Sequence, residues 1–386
     1  MKQIKKEIYI ALSILNDKNY DAYIVGGAVR NLLLGSKIVD YDITTNASPD
    51  VVKQLFAEYP LYTIGEKHGT VVVTINKVKI DITTFRSDFD YVDHRRPNSV
   101  TFSDDLNEDL KRRDFTINAL CLDKNDKIID NFNGVEDLNK KIIRAIGEPK
   151  ARFHEDALRI LRALRFSSRF NFKIEAKTKE AMFECKDLLN YISNERKKEE
   201  LLYILGTNNR LKTINEYLDI FNTFIPFKKT TNKLDTFSNE YFALAYLLSK
   251  TEGYDLKKLT FSKQEINLIE ALVEATNTNL KKDYDFISLL CDPLAKEILK
   301  YISELYSEDF KDRYKRLKKY MVNKENLKIN GNDLIELGYK GKNIGVIQDE
   351  LVELIRHQLL TNSKTALLKY LKLKWYNYEY DIKTDF

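Results

Sequence analysis

Cysteine is scarce in this chain. Cys121, Cys185 and Cys291 are three in 386 residues, too widely spaced to form a metal motif. An odd, sparse count argues against a disulfide framework and for a reducing compartment. Long apolar runs are also missing. No stretch of about 18 apolar residues exists, so no membrane-spanning helix is expected. The opening MKQIKKEIYIALSIL mixes lysines with apolar residues and lacks the unbroken apolar core of a signal peptide. It predicts an amphipathic helix with Ile4, Ile8, Ala11, Leu12 and Leu15 on one face, and the cytosol is the expected location. Prolines number six, and there is no fixed-period repeat or low-complexity linker. A large excess of either charge is absent too. The net charge is +5, so any nucleic-acid surface must be a local patch. What remains is 31% charged and 43% hydrophobic residues, enough for a folded, soluble protein of two to four domains.

The most informative stretch is Tyr23 to Asp42, YIVGGAVRNLLLGSKIVDYD. A short strand, Tyr23 to Val25, leads into Gly26 and Gly27, and Ala28 to Leu34 predicts a helix stopped by Gly35. Glycines let backbone approach a phosphate, and a helix start offers free N–H groups. Arg30 sits one turn in, facing the same anion. Lys37 to Ile43 predicts a second strand carrying Asp40 and Asp42, whose i, i+2 spacing puts both carboxylates on one face. Paired acids repel unless a cation lies between them, and a hard divalent metal such as Mg²⁺ suits carboxylates plus phosphate oxygens.

Further along, Ser48 and Pro49 predict a helix start. Tyr62 to Ile64 and Thr70 to Ile75 predict strands. Lys79 to Phe85 alternates, with Ile80 and Ile82 on one face and Asp81 and Thr83 on the other, making Asp81 a candidate third carboxylate. Arg86 to Phe102 is charged and aperiodic and reads as a mobile loop. In DDLNEDLKRRDFTINA, Arg113 and Asp114 lie beside apolar Phe115, Ile117 and Ala119, which suggests a triphosphate and a ribose contact; a solvated helix start is the plainer alternative. Lys127 to Asp130 predicts a last strand, and FNGVEDLNKKIIRAIG a turn, a helix and a strand.

Near Glu148-Pro149 the β pattern ends. RFHEDALRILRALRFSSRF predicts one helix with Leu158, Leu161 and Leu164 on one side. Asp156, Arg159, Arg162 and Arg165 form a stripe at i+3, and three cations so placed repel unless an anion or carboxylate lies alongside. Glu195, Arg196 and Glu199 of ERKKEELLYIL could brace that stripe or form an ordinary surface ion network. From Gly206 onward the pattern is helical. Phe310 to Tyr320, FKDRYKRLKKY, suits either an RNA backbone surface or a solvated helix. Breaks are expected at Thr251 to Tyr254 and at Asn323 to Asn332.

The ordered set GGAVRNLLLG with DYD, GEKHGTVVV, RRDFTINA, DNFNGVEDL with IIRAIG, RFHEDALRILRALRF and ERKKEELLYIL covers about the first 205 residues. It resembles the class II tRNA nucleotidyltransferases, the CCA-adding enzymes, in a family that also holds bacterial poly(A) polymerases and belongs to the DNA polymerase β nucleotidyltransferase superfamily. LKINGNDLIELGYKGKNIG is similar to the family's tail segment, although Lys340-Gly341-Lys342 replaces its usual proline-glycine turn. Asn31 stands where the family often has aspartate. The resemblance implies an α+β fold: a polymerase β-like head of small mixed sheet and helices over residues 1–147. An all-α neck (148–205), body (206–270) and tRNA-binding tail (271–386) follow. It implies that Asp40 and Asp42 hold the metals. Gly26, Gly27, Arg30 and Arg113 would contact the triphosphate and Asp114 the ribose. Asp156 and Arg159 would read the base, with Arg162 and Arg165 beside them.

The implied partners are the tRNA 3′ end, CTP and ATP, with no membrane, and the implied cofactor is Mg²⁺. Two metals about 4 Å apart would activate the 3′-hydroxyl and stabilise the pyrophosphate. Cytosine and adenine each place an amino donor beside a ring-nitrogen acceptor, matching a carboxylate and a guanidinium; uracil and guanine present the reverse and are rejected. The segment Asp88 to Pro97, with Asp93, Arg95 and Arg96, would be the flexible loop that moves the base-reading residues between C and A. Rival expectations are a poly(A) polymerase, a CC- or A-adding enzyme, and an RNA-binding protein with an inactive head. GEKHGTVVV favours CCA or A addition, and intact Asp40 and Asp42 speak against the inactive head.

Overall fold

The computed structural model describes residues 4–62, 69–92 and 96–384. The chain forms two compact units, Met1–Lys229 with Gly253–Thr260, and Thr230–Glu252 with Phe261–Phe386.

In the first unit, α1 (Lys6–Asn16) buries Ile8, Ala11, Leu12 and Leu15 as its spacing predicts. It is followed by β1 (Ala22–Val25), α2 (Gly27–Leu33), β2 (Asp42–Thr45) and α3 (Pro49–Leu55). Ser48 caps α3, accepting from the Val51 amide. Next come β3 (Leu61–Tyr62), β4 (Thr70–Ile75), β5 (Val78–Thr84), β6 (Arg86–Val92) and β7 (Arg96–Phe102). Then follow α4 (Leu106–Lys111), β8 (Cys121–Leu122), β9 (Ile128–Ile129), α5 (Gly134–Lys140) and β10 (Ile142–Ile143). Seven strands form one sheet in the order β3-β4-β5-β2-β1-β8-β9. The β2–β5 pair is parallel and sets Asp42 opposite Asp81; the other pairs in this sheet are antiparallel. It is therefore the expected small mixed sheet. Ile80 and Ile82 are buried, while Asp81 and Thr83 are half-buried, as the alternation requires.

Three expectations are corrected. The strand expected over 37–43 is Asp42–Thr45, so Asp40 precedes it and is exposed. The segment Arg86 to Phe102 forms the β6–β7 antiparallel ladder rather than a loop. A two-stranded ribbon is held by its own backbone hydrogen bonds, and β-favouring Phe, Tyr, Val and Thr suffice without a long apolar alternation. The helix expected over RFHEDALRILRALRF is two, α6 (Pro149–Glu155) and α7 (Leu158–Phe170). Between them Asp156 has an extended backbone (φ −142°, ψ 100°), and its Oδ1 accepts from the Leu158 amide at 3.1 Å. An aspartate that caps locally competes with helix continuation.

Past α7, β11 (Lys173–Ile174) pairs parallel with β10, followed by α8 (Ala176–Glu184) and α9 (Asn194–Leu205). The second unit is helical. Its helix Lys263–Asn277 opens with a Ser262–Glu265 capping box, and Leu334, Leu351, Ile355, Leu367 and Leu371 are buried in one core cluster. Among the described residues no helix is long and apolar enough to cross a membrane.

Candidate active site

The site begins where β1 ends. Gly26 has φ +70°, a conformation that favours glycine, and a Cβ there would stand 3.2 Å from Arg113 Nη1. The turn thus lets a guanidinium lie against the backbone. One turn into α2, Arg30 is buried. It donates to Asn118 Oδ1 through Nη1 and to Asn31 Oδ1 through Nε and Nη2, at 3.2 and 3.1 Å. Its guanidinium also lies 5.2 and 4.9 Å from the ring centroids of Phe166 and Phe170. Burial first, and then the neighbouring Arg169, Arg165 and Arg162, lower its pKa to about 10 against the pull of Asp114.

The acids stand at the neighbouring sheet positions. Burial pushes the Asp42 carboxyl up, Arg113 pulls it back, and Asp81 and Asp40 push it up again. Asp81 is raised by burial and by Asp40. The three are therefore close enough to repel, although Asp40 is outside the strand. Among the described residues no three acid, histidine or cysteine side chains already converge as a metal cage.

Asp42 lines a cleft of about 430 Å³ together with Gly26, Gly27, Arg30, Arg113, Asp114, Asp156, Arg159, Arg162 and Arg165. The cleft thus gathers the expected nucleotide-binding residues, while Asp40 and Asp81 are not among its lining. Asp114 is buried. It accepts from Arg162 Nε (2.8 Å) and Nη2 (2.6 Å), and from Asn118 Nδ2 and the Phe115 amide. Burial would raise its pKa, but these donors, chiefly Arg162, hold it at about 2. Asp156 and Arg159 meet through the backbone, the Arg159 amide donating to the Asp156 carbonyl at 3.0 Å, while their side chains bond other partners. Asp156 receives Arg196 at 2.9 and 3.3 Å. Arg159 donates to Glu155 (2.7 Å) and to the carbonyls of Arg152 (3.1 Å) and Arg112 (2.8 Å). Arg165 reaches Glu200 at 3.1 Å, so of the bracing expected from ERKKEELLYIL, Arg196 meets Asp156 as expected and the acid is Glu200, one place beyond Glu199. Burial pushes the Glu200 carboxyl up against the pull of Arg165 and Arg162.

Of the remaining expected residues, Asp93 and Arg95 lie outside the described residues, as do Thr63 to His68 and with them most of the strand expected over Tyr62 to Ile64; Arg96 is the first residue of β7. Sequence reasoning missed Asn118, Phe166 and Arg169 in the lining, and Glu155 beside it. Arg169 had a signal, since it continues the stripe four residues after Arg165. The basic segment near Tyr320 is partly committed elsewhere: Arg313 pairs with Asp283 at 2.8 Å and donates to the Leu280 carbonyl.

Repelling carboxylates at one strand level, next to a cleft rich in guanidinium groups, are the equipment of a nucleotidyltransferase. Residues 22–144 match the Poly A polymerase head domain, and residues 171–220 match the Probable RNA and SrmB- binding site of polymerase A. A CCA-adding enzyme of Lactobacillus helveticus is 37% identical over 388 residues, covering 94% of this chain and 95% of that one. One from Staphylococcus haemolyticus is 36% identical over the same shares of the two chains. The crystal structure of the Bacillus stearothermophilus CCA-adding enzyme in complex with CTP superposes with a TM-score of 0.80 at 28% identity, over 99% of this chain and 100% of that one. The chain belongs to the family of CCA-adding enzymes. Members of that family are nucleotidyltransferases, generally dependent on a metal.

Proposed function

We infer that this protein adds C, C and A stepwise to the tRNA 3′ end from CTP and ATP, releasing pyrophosphate, with no nucleic-acid template. The observation that carries the reading is the single cleft that holds the glycine turn, Asp42, the arginines and the Asp156–Arg159 group. Full-length similarity to CCA-adding enzymes, one of them crystallised with CTP, supports it.

The residues fit a hard divalent cation, because Asp42 and Asp81 are raised by burial and by neighbouring acids, a state that a cation relieves. Asp40 and Asp42 would hold Mg²⁺, with Asp81 as a third carboxylate. When bound, it supplies activation of the RNA 3′-hydroxyl and charge neutralisation at the leaving pyrophosphate. The chain's own residues do the rest. Gly26 and Gly27 admit the triphosphate to backbone N–H groups. Arg30 and Arg113 neutralise it, and Asp114, oriented by Arg162, contacts the ribose.

Asp156 and Arg159 select the base. A carboxylate has about four lone-pair sites, so Asp156 can keep Arg196 and still accept from an exocyclic amine. Arg159 uses three of its five N–H groups on chain partners, leaving two for a ring nitrogen. The segment 88–97, with Asp93, Arg95 and Arg96, shifts this pair between C and A addition. The head spans 1–147, the neck 148–205, the body 206–270 and the tRNA-binding tail 271–386. The cytosol is the compartment.

The deciding experiment incubates the protein with tRNA ending at the discriminator base or at CC, with each NTP singly and together. Two C residues from CTP alone, one A from ATP on the CC substrate, and CCA from both are expected. Oligo(A) from ATP alone would make it a poly(A) polymerase, and no incorporation would make it an inactive RNA binder.

A further inference from the structure

Asp109 is a carboxylate with no solvent exposure, in the first turn of α4, and it does not line the cleft. Its Oδ1 receives Arg112 Nε at 3.0 Å and Nη2 at 2.6 Å. Its Oδ2 receives Arg113 Nη2 at 3.2 Å and the Thr44 hydroxyl at 3.1 Å. Thr44 is itself fully buried and sits on β2, two residues after Asp42. Two guanidinium groups and one hydroxyl therefore meet on one acid.

A buried charge persists when paired and fully hydrogen-bonded, and a guanidinium held that way loses its rotational freedom. Of these two arginines, Arg113 lines the cleft, and its Nη1 lies against Gly26. Through its backbone Arg112 makes a second tie: its carbonyl accepts Arg159 Nη2, and the Lys111 carbonyl before it accepts Arg152 Nη1. The end of α4 is thus pinned on one side to the strand bearing Asp42 and on the other to the arginine proposed to read the base.

We propose that Asp109 is a positioning residue: it aims Arg113 at the triphosphate and, through Thr44, fixes that arginine relative to the acid-bearing strand. The proposal rests on the reading of Arg113 as a triphosphate contact. Because the triphosphate is common to both substrates, Asp109 acts on CTP and ATP alike and leaves base choice untouched.

The test uses the full-length enzyme and the variants Asp109→Asn, Thr44→Val, Arg113→Gln and the Asp109→Asn/Arg113→Gln double. KM is measured for CTP, for ATP on the CC-ending tRNA and for tRNA, together with product inhibition by inorganic pyrophosphate. Asp109→Asn should raise both nucleotide KM values and the pyrophosphate inhibition constant by one common factor, about 10-fold, the scale at which losing an outer-shell partner is felt. The KM for tRNA should stay put. In the Arg113→Gln background the second substitution should add nothing. Thr44→Val, which removes one bond, should give the same pattern at about threefold, and it decides the matter if Asp109→Asn does not fold. An effect of Asp109→Asn that persists undiminished without Arg113, or an equal rise in the KM for tRNA, would reduce Asp109 to a prop of the fold and overturn the proposal. If Arg113→Gln shifts the constants while neither Asp109→Asn nor Thr44→Val does, the positioning role alone fails. If Arg113→Gln shifts nothing, the triphosphate assignment itself is wrong.

Discussion

Asp156 holds the start of α7 and is proposed to read the base, and two substitutions divide these roles. It caps α7 through the Leu158 amide, and it offers a carboxylate, steadied by Arg196, to the cleft. Asparagine caps a helix about as well as aspartate, whereas alanine forfeits about 1 kcal/mol. Neither preserves a pure acceptor. Asp156→Asn should therefore melt like the parent, and Asp156→Ala should be less stable by that cap. Both should lose base discrimination, because a buried polar mismatch costs about 1–3 kcal/mol, roughly 5- to 150-fold in relative kcat/KM. The asparagine variant should gain most with UTP, since its amide can turn an N–H toward the uracil carbonyl. The assay is competition between CTP and UTP on tRNA ending at the discriminator base, with product composition read after digestion. If Asp156→Asn kept the parent's CTP preference while remaining folded, base reading would have to move to another residue.

Asp42→Asn should stop incorporation of both CTP and ATP while gel-shift affinity for tRNA is unchanged; near-normal turnover with Mg²⁺ would sink the metal assignment. Asp114 carries a pH signature. Its folded-state pKa of about 2 lies below the ordinary 3.8, so its contribution is complete above about pH 5 and fades as pH falls through 4 toward 2. At ~1.4 kcal/mol per factor of ten in acidity this amounts to about 2 kcal/mol. Hydrogen exchange in α7 should show that slope in the parent and not in Asp114→Asn, and equal slopes would refute it. Deleting residues 90–95 should leave addition of two C residues nearly intact and nearly stop the terminal A, as product sizing on a denaturing gel would show; equal loss of both would mean general damage to the head.

Much of this was legible in the sequence because local rules and the tertiary structure agreed. The Gly26–Gly27 turn, the Ser48 cap and the alternation that turns Asp81 away from the buried Ile80 and Ile82 each follow from a few neighbouring residues. The failures share a cause. Helical periodicity runs straight through Asp156, since Leu158, Leu161 and Leu164 continue it, and a single capping aspartate breaks a helix without disturbing the pattern. The β6–β7 ribbon has no apolar alternation to announce it. Asp40 lies before β2 because strand ends are set by pairing partners, here β1 and β5, that a single sequence does not display. Partner choice was hidden for the same reason. That Asp114 meets Arg162, Asp156 meets Arg196 and Arg165 meets Glu200 depends on helices brought together from 35 to 48 residues apart.

Among the described residues the cleft lining holds seven arginines and three aspartates, so its lining carries an excess of positive charge. Anything polyanionic that enters does double service: it is a reactant, and it is also mortar. By mass action a ligand at about 100 times its dissociation constant stabilises the folded chain by ~2.7 kcal/mol. The durability of the enzyme is thereby tied to its supply. In a cell rich in nucleotides the cleft is seldom empty and the α7 region resists opening. In a starved cell that stabilisation is withdrawn, and the chain should be cut sooner. Limited proteolysis with and without ATP would follow the difference in lifetime directly.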